Sequence, residues 1–306
     1  MIIKRMDSKQ DEMEALSSLL EEPINANQKF LIERELKAMK KGVHGEEDSA
    51  YYINFYYSDS KNWAIIHDLR IEHENQVAQI DHILINRFFE IYVLESKNYS
   101  YGIKITPEGE FQAYYGKQTF GIPSPVEQNK RHIHLLDRFL KDNNLLPKRL
   151  GISIRPKYLN FILISPKSLI TRPAANKFDT STIIKADTLK TKIDNDINKF
   201  TPLSDLSAVG KISSAATIEE MSTRLVSFHR PLSIDYRAKF GLPAKSYSIT
   251  PKNPTTVNDE RNAFSTSKFF CCKCKKSISE KAAKFCWQNK TKFGGRAYCF
   301  DCQKEF

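Results

Sequence analysis

Two neighbouring apolar stretches carry charged residues where a packed sheet would normally hold only hydrophobic side chains. Asp81 lies in the first stretch, and Glu95 and Lys97 lie in the second. Side chains two positions apart on a strand point the same way, so Glu95 and Lys97 share a face. The connection at residues 86–90 suits a hairpin, which places Asp81 opposite residue 95 or 96. The sequence therefore predicts two carboxylates and one ammonium at the end of a sheet.

These three side chains are costly to bury for packing alone, which favours a functional site. Asp81 and Glu95 offer the oxygen ligands that a hard cation such as Mg²⁺ or Mn²⁺ prefers, and the backbone carbonyl of Ser96 completes the predicted set. A cation in this position would support phosphodiester hydrolysis. Lys97 would hold the attacking water or neutralise the negative charge that develops on the phosphate. The alternative is a cross-strand ion pair on an exposed sheet face.

Two further polar residues are placed to assist. Glu46 lies at the start of a helix predicted over residues 46–57 and would orient the attacking water, with Glu47 as the alternative. Gln128 lies in the first turn of a second helix, where Pro125 takes the first position and Ser124 the cap. A side chain in that first turn can project over the end of the sheet.

The motifs that carry these residues follow one another in a fixed order. They are Gly42-x-x-Gly45-Glu46, Gln79-Ile80-Asp81-His82, Glu95-Ser96-Lys97-Asn98 with Gly102, and Pro125-x-x-Gln128. In this order and spacing, residues 40–165 resemble the nuclease-related domain (NERD) family of the PD-(D/E)xK nuclease superfamily. The resemblance implies a mixed sheet flanked by helices and Mg²⁺-dependent cleavage of nucleic acid. It implies a site of Glu46, Asp81, Glu95, Lys97 and Gln128, although Ser124 stands where the family usually has Asn.

The order of predicted elements is typical of an α/β fold, with a mixed sheet flanked by helices. Before the site we expect two helices, one ending at Pro23 and one around residues 30–39. The expected organisation is a helical extension at 1–40, the nuclease domain at 41–165, a mostly helical extension at 166–228, a linker at 229–267 and a zinc-ribbon-like domain at 268–306.

All six cysteines lie near the end of the chain. Cys271 and Cys274 form one C-x-x-C pair, and Cys299 and Cys302 form another. Two such pairs present four thiolates to tetrahedral Zn²⁺ and predict a zinc ribbon, with a turn before the second pair that leads into a short strand. A unit this small, with few apolar residues, needs a bound metal ion to stabilise its fold. Cys272 and Cys286 are surplus, and either is an alternative to Cys271.

Most of the net positive charge lies in the same region. The net charge is +11, and residues 261–306 hold eleven Lys/Arg and three Asp/Glu. A basic excess of this kind favours a polyanionic partner such as DNA, RNA or an anionic membrane, and we expect DNA in preference to RNA. The alternative is that residues 261–306 form only a solvated surface without a polyanionic partner.

No apolar run reaches the roughly 18 residues of a membrane span, and no secretory segment is recognisable at the start of the chain. We therefore expect a cytoplasmic protein with no membrane partner. The predicted function is a metal-dependent deoxyribonuclease whose zinc tail binds nucleic acid. The alternatives are a catalytically silent nucleic-acid-binding protein on the same fold, and an interaction protein whose zinc tail binds other proteins.

Overall fold

The hairpin expected from the sequence forms the centre of a six-stranded mixed sheet. This computed structural model describes residues 1–116, 118–198, 212–243, 269–274 and 276–304. The main sheet contains β1 (Ile2–Lys4), β2 (Trp63–His73), β3 (Gln76–Asn86), β4 (Glu90–Lys97), β10 (Lys157–Ile164) and β12 (Ile183–Lys185). Their order is β1-β2-β3-β4-β10-β12, with β2, β3 and β4 antiparallel and the other neighbours parallel.

The register between β3 and β4 sets the position of the acidic residues. Ile83 pairs with Val93, and His82 pairs with Leu94. One further step of this antiparallel register brings Asp81 opposite Glu95, within the range expected from the sequence. Because side chains alternate along a strand, both carboxylates leave the sheet on the face that also carries Ile83 and Val93.

Two smaller sheets accompany the main one. Their strands are β5 (Gly102–Ile105), β6 (Phe111–Tyr115), β7 (Gln118–Ile122) and β11 (Leu169–Thr171), and the short pair β8 (Lys148–Arg149) and β9 (Ile152–Ser153). The four-stranded sheet has the order β11-β5-β6-β7. It follows directly after β4, so it begins next to the charged end of the main sheet.

Helices cover both faces of the main sheet. They are α1 (Gln10–Leu20), α2 (Ala26–Tyr57), α3 (Pro125–Asp142), α4 (Leu189–Asn198), α5 (Ala215–Val226) and α6 (Tyr236–Lys239), with a 3-10 turn at Ala186–Thr188. One apolar core joins the sheet to α3 and α5, and a second joins the opposite face to α2 and α4. The predicted fold class, an α/β fold with a mixed sheet flanked by helices, is confirmed.

The expectation of separate helices at residues 30–39 and 46–57 is wrong, because α2 is one continuous helix of 32 residues. Asn25 caps its start in a reciprocal pair of hydrogen bonds with Gln28. Gly45 does not break the helix. A Cβ added to Gly45 would lie 2.7 Å from the Cβ of Asn98, so this glycine permits close contact with the chain that leaves β4.

Two segments differ from their expected character. The N-terminal region, expected to be helical, begins with β1, which pairs parallel with β2. The first part of the expected linker is packed, since Tyr236 of α6 is buried against α1 and α2. Its remainder, residues 244–267, lies outside the described residues. The expected helical extension at 166–228 also contributes β11 and β12, and its residues 199–211 are not described.

The chain divides into two units, residues Met1–Lys245 and Ser246–Phe306. The second contains β13 (Phe269–Phe270), β14 (Ser277–Ile278), α7 (Glu280–Gln288), α8 (Lys290–Phe293) and α9 (Phe300–Gln303). Gly294 and Gly295 both have positive φ and turn the chain towards the second C-x-x-C pair. The short strand expected after this turn is absent among the described residues, and Cys299 instead caps α9.

We find no helix among the described residues that combines the length and the apolar character of a membrane span. The longest, α2, has 32 residues but carries charged side chains along its length.

Candidate active site and zinc cluster

Asp81 is held against the backbone of the neighbouring strand. Its Oδ2 accepts a hydrogen bond of 2.7 Å from the N–H of Ser96. In a strand the N–H and C=O of one residue point to the same side, so the Ser96 carbonyl faces this carboxylate as well. Burial, followed by the charges of Glu95 and Glu46, raises the pKa of Asp81 well above its usual range. Such a carboxylate gains from a nearby cation.

Glu95 is almost completely buried, with 2% of its surface exposed. Its Oε1 accepts hydrogen bonds from Lys97 Nζ at 2.6 Å and from Gln128 Nε2 at 2.8 Å. Its Oε2 is also buried but has no hydrogen-bond partner among the described residues. His132 Nδ1, which is also buried without a hydrogen-bond partner among the described residues, lies 3.6 Å from this oxygen, beyond hydrogen-bond distance. One oxygen of this carboxylate is therefore fixed, and the other is available to a ligand.

The charge states of Glu95 and Lys97 follow from this contact. Burial alone would raise the pKa of Glu95, but His132 and Lys97 outweigh burial and lower it. Burial alone would lower the pKa of Lys97, but Glu95 and Asp81 outweigh burial and raise it. Glu95 is thus an anion and Lys97 an ammonium at neutral pH. Lys97 can donate hydrogen bonds and stabilise nearby negative charge, but as an ammonium it cannot act as a base.

Glu46 extends the acidic cluster from α2. Burial, and after it the charge of Asp68, raises the pKa of Glu46 to about 7. Asp68 is itself buried in β2, at a positive φ of 51°, with Lys9 Nζ 3.7 Å and Gln79 Nε2 3.3 Å from its oxygens. Asp68 was not among the residues predicted for the site. The available signal was an acid inside the apolar run of β2.

We predict that Glu46→Gln stabilises the metal-free protein more at pH 8 than at pH 5. The folded-state pKa of about 7 exceeds the ordinary 4.5, so stability falls as pH rises between these values. At pH 8 the variant should gain up to about 3 kcal/mol in free energy of unfolding, and much less at pH 5. Urea unfolding in EDTA measures both values.

Glu47→Gln is the matched control for this prediction, because Glu47 is exposed on the same helix. It should change stability little at either pH. Equal gains for the two variants at both pH values would show that the pKa of Glu46 is not raised in the folded protein. Added Mg²⁺ should reduce the advantage of Glu46→Gln, because a bound cation would stabilise the ionised wild-type cluster.

The first turns of α3 bring two side chains to Glu95. Gln128 and His132 are four residues apart and therefore lie on one face of the helix. The site predicted from the sequence did not include His132, but the structure places its Nδ1 3.6 Å from Glu95 Oε2. The pattern Gln-x-x-x-His was the signal that was missed.

A groove of about 500 Å³ runs beside this helix. Gln128 and His132 line it together with Glu127, Lys130 and Arg131. Lys130 Nζ is paired with Glu127 Oε1 at 2.7 Å, and Arg131 adds a second cationic side chain beside the two residues near Glu95. Positive charge in this position suits a polyanion.

A chain of hydrogen bonds supports the site from the opposite face of the sheet. His67 Nε2 contacts Asn54 Oδ1 at 3.1 Å, the Nδ1 atoms of His67 and His82 are 2.8 Å apart, and His82 Nε2 contacts Ser96 Oγ at 3.0 Å. With Asn54 Oδ1 as acceptor, His82 donates to His67 and the Ser96 hydroxyl donates to His82. Burial lowers the pKa of His67 to about 4, and burial followed by the charge of His67 lowers the pKa of His82 well below its usual range. Both imidazoles are therefore neutral, and they hold Ser96 in place.

The four cysteines of the C-x-x-C pairs form a tight cluster in the second unit. The sulfurs of Cys271, Cys274, Cys299 and Cys302 all lie within 4.8 Å of one another. The Sγ atoms of Cys274 and Cys299 are 3.6 Å apart. A tetrahedral site with Zn–S bonds of about 2.3 Å needs sulfurs about 3.8 Å apart, so the cluster fits zinc.

The remaining two cysteines lie outside this cluster. Cys286 is buried, and its sulfur accepts from the N–H of Tyr298 and from Gln303 Nε2. Cys272 is exposed. For Cys271, burial would raise the pKa, but backbone N–H groups of Cys274 and its neighbours outweigh burial and lower the pKa to about 6. The set of four in the cluster is the set that the sequence predicted.

Only one other group of potential metal ligands is as compact in the described part of the chain. It consists of His73, Glu74 and Asp142, of which His73 and Asp142 are already paired at 2.8 Å. The carboxylates of Glu46, Asp81 and Glu95 do not make a third group of this kind.

Residues 41–159 match the family model described as NERD, nuclease-related domain. Asp81, Glu95, Lys97 and Gln128 all lie inside this match. This part of the chain is therefore a nuclease-related domain, and the family resemblance seen in the sequence is confirmed. No curated protein and no solved structure matches the chain.

Proposed function

We propose that this protein is a Mg²⁺-dependent nuclease that hydrolyses phosphodiester bonds, with Mn²⁺ as a substitute cation. The observation that carries the proposal is the buried Oε2 of Glu95, which has no hydrogen-bond partner among the described residues. Buried carboxylate oxygens normally have partners, and an oxygen without one beside a second carboxylate suits a hard cation.

The residues around that oxygen have separate roles in this proposal. Asp81 and Glu95 hold the cation, together with the carbonyl of Ser96. Gln128 and Lys97 bind the other oxygen of Glu95 and so fix the direction of the carboxylate. When bound, a divalent cation polarises the phosphate and makes water a better nucleophile at neutral pH.

Two charged residues handle the proton and the developing charge. Lys97 is an ammonium, so it stabilises negative charge on the phosphate and positions the attacking water. Glu46 orients the same water from α2. Its pKa of about 7 suits a group that accepts a proton near neutral pH.

We infer that the substrate is DNA in preference to RNA. The groove beside α3 and the basic residues 261–306 offer positive charge to a phosphate backbone. In this proposal residues 41–165 are the catalytic domain, and residues 268–306 bind Zn²⁺ and nucleic acid. Reduced thiolates are the zinc ligands, which suits the reducing cytoplasm.

Cofactor removal tests the proposed activity. Supercoiled plasmid, linear duplex and RNA of matching sequence are incubated with the protein in Mg²⁺, Mn²⁺ or EDTA. We expect cleavage of both DNA forms with either cation, loss of cleavage in EDTA, and recovery when Mg²⁺ is added in excess. Cleavage that persists in EDTA would contradict the metal dependence. DNA binding without cleavage under any cation would identify a catalytically silent nucleic-acid-binding protein instead.

A further inference from the structure

Three large aromatic side chains form an exposed row at one end of the four-stranded sheet. Tyr101, Tyr115 and Phe120 are 58%, 73% and 55% exposed. The ring centroids of Tyr101 and Tyr115 are 6.3 Å apart, and those of Tyr115 and Phe120 are 6.4 Å apart. We call these three residues the aromatic row. Tyr115 is its centre.

Strand register places the aromatic row on the inward face of this sheet. Ile103 pairs with Ala113, and Ala113 pairs with Phe120. Extending the first register by two residues sets Tyr101 opposite Tyr115. By alternation, the row shares a face with Ile103, which is fully buried against the main sheet. The row is thus the uncovered end of a face that is otherwise packed.

This uncovered end is close to the proposed catalytic site in the chain. Tyr101 is four residues beyond Lys97. Four residues of fully extended chain span at most about 14 Å, so the Cα atoms of Tyr101 and Lys97 lie within that distance. This corresponds to about four stacked nucleotide steps of 3.4 Å. A strand held at the site would therefore have neighbouring nucleotides within reach of the row.

The charge of the surrounding sequence is compatible with a phosphate backbone. Residues 98–122 contain two lysines and two glutamates, and both Glu108 and Glu110 lie in the turn between β5 and β6, at the opposite end of β6 from Tyr115. Exposed aromatic rings are the usual means of binding unpaired bases, because every base has a face that can stack. In a duplex the base faces are stacked on one another and are not accessible.

We propose that the aromatic row binds unpaired nucleobases, so that the protein prefers single-stranded segments or frayed ends of its nucleic-acid substrate. This inference rests on the proposed nuclease function, because the catalytic site identifies the ligand as nucleic acid. Tyr115 contributes a stacking surface, and Tyr101 and Phe120 flank it. The row is a binding surface for the substrate and takes no part in bond cleavage.

Affinity for an unpaired strand tests this proposal independently of cleavage. The full-length protein is titrated in EDTA into an oligodeoxythymidine that carries 2-aminopurine, and separately into a blunt duplex. Tyr115→Ala should weaken single-strand binding about 5- to 150-fold and remove the quenching of 2-aminopurine that stacking produces. Duplex affinity should change much less. Tyr115→Trp should retain single-strand affinity, whereas Tyr115→Leu should not.

Tyr51→Ala is the matched control, because Tyr51 is a tyrosine with 62% exposure on α2. Equal losses for the Tyr51 and Tyr115 variants would overturn the proposal, as would full retention of single-strand affinity by Tyr115→Ala or by Tyr115→Leu. A change in oligomeric state, with oligonucleotide affinity unchanged, would identify the row as a contact between copies of the chain. If wild type binds the oligonucleotide as expected but never cleaves DNA, the nuclease proposal fails while the aromatic row stands.

Discussion

A Lys97→Ala variant is expected to nick supercoiled plasmid about 10²- to 10³-fold more slowly than wild type in Mg²⁺. Lys97 Nζ lies 2.6 Å from Glu95 Oε1, and its pKa is raised by Glu95 and Asp81 against the effect of burial. The ammonium therefore stays charged at neutral pH. Its removal takes away the positive charge closest to the carboxylates, so charge that develops on the phosphate is no longer neutralised. The rate of conversion of supercoiled to nicked plasmid at saturating DNA measures the loss.

Two other lysine variants show whether the loss is specific. Lys130→Ala removes an exposed lysine from the groove beside α3 and should mainly weaken DNA binding, leaving the rate at saturating DNA near wild type. Lys97→Met keeps the length of the side chain and should be as slow as Lys97→Ala. Equal nicking by wild type and Lys97→Ala would remove Lys97 from the catalytic site. Calorimetric titration with Mn²⁺ checks that Lys97→Ala and Lys97→Met still bind the cation.

Short-range rules were sufficient to predict the central hairpin. Strand alternation places Glu95 and Lys97 on one face, and a tight connection places Asp81 opposite residue 95 or 96, without knowledge of the rest of the fold. Gln128 could also be predicted from the sequence, because Pro125 marks the first turn of a helix. The structure brings Glu95, Lys97 and Gln128 into direct hydrogen bonds. The two C-x-x-C pairs were equally clear, since their ligand spacing is local.

Long-range packing could not be predicted in the same way. Asp68 joins the cluster only because α2 brings Glu46 across the end of the sheet, and His132 joins it only because α3 packs over β4. Gly45 looked like a helix break, whereas its actual constraint is the approach of Asn98 from a distant part of the chain. Tyr236 looked like part of a linker because its contacts are on α1 and α2, more than two hundred residues earlier.

A Cys274→Ser variant is expected to lose its zinc and to unfold the C-terminal unit. Few large side chains hold this unit together apart from the cysteines, chiefly Ile278, Phe293 and Tyr298. A core of that size is too small to offset the entropy of ordering the chain, and a structural zinc contributes about 10–16 kcal/mol of apparent binding free energy. Elemental analysis should find one zinc per wild-type chain and none in the variant. Limited proteolysis should then cut within residues 269–304 while residues 1–116 and 118–198 stay protected.

Cys272→Ser is the control, because Cys272 neighbours the cluster in sequence but is exposed and outside it. It should keep its zinc and its resistance to protease. If the folded C-terminal unit binds nucleic acid, Cys274→Ser should also weaken DNA binding. The affinity should then depend less steeply on salt concentration, because fewer phosphate contacts release fewer counterions. Cys272→Ser should leave both unchanged. Loss of zinc with an unchanged salt dependence would assign the C-terminal unit to a protein partner, and zinc retained by Cys274→Ser would exclude the four-cysteine site.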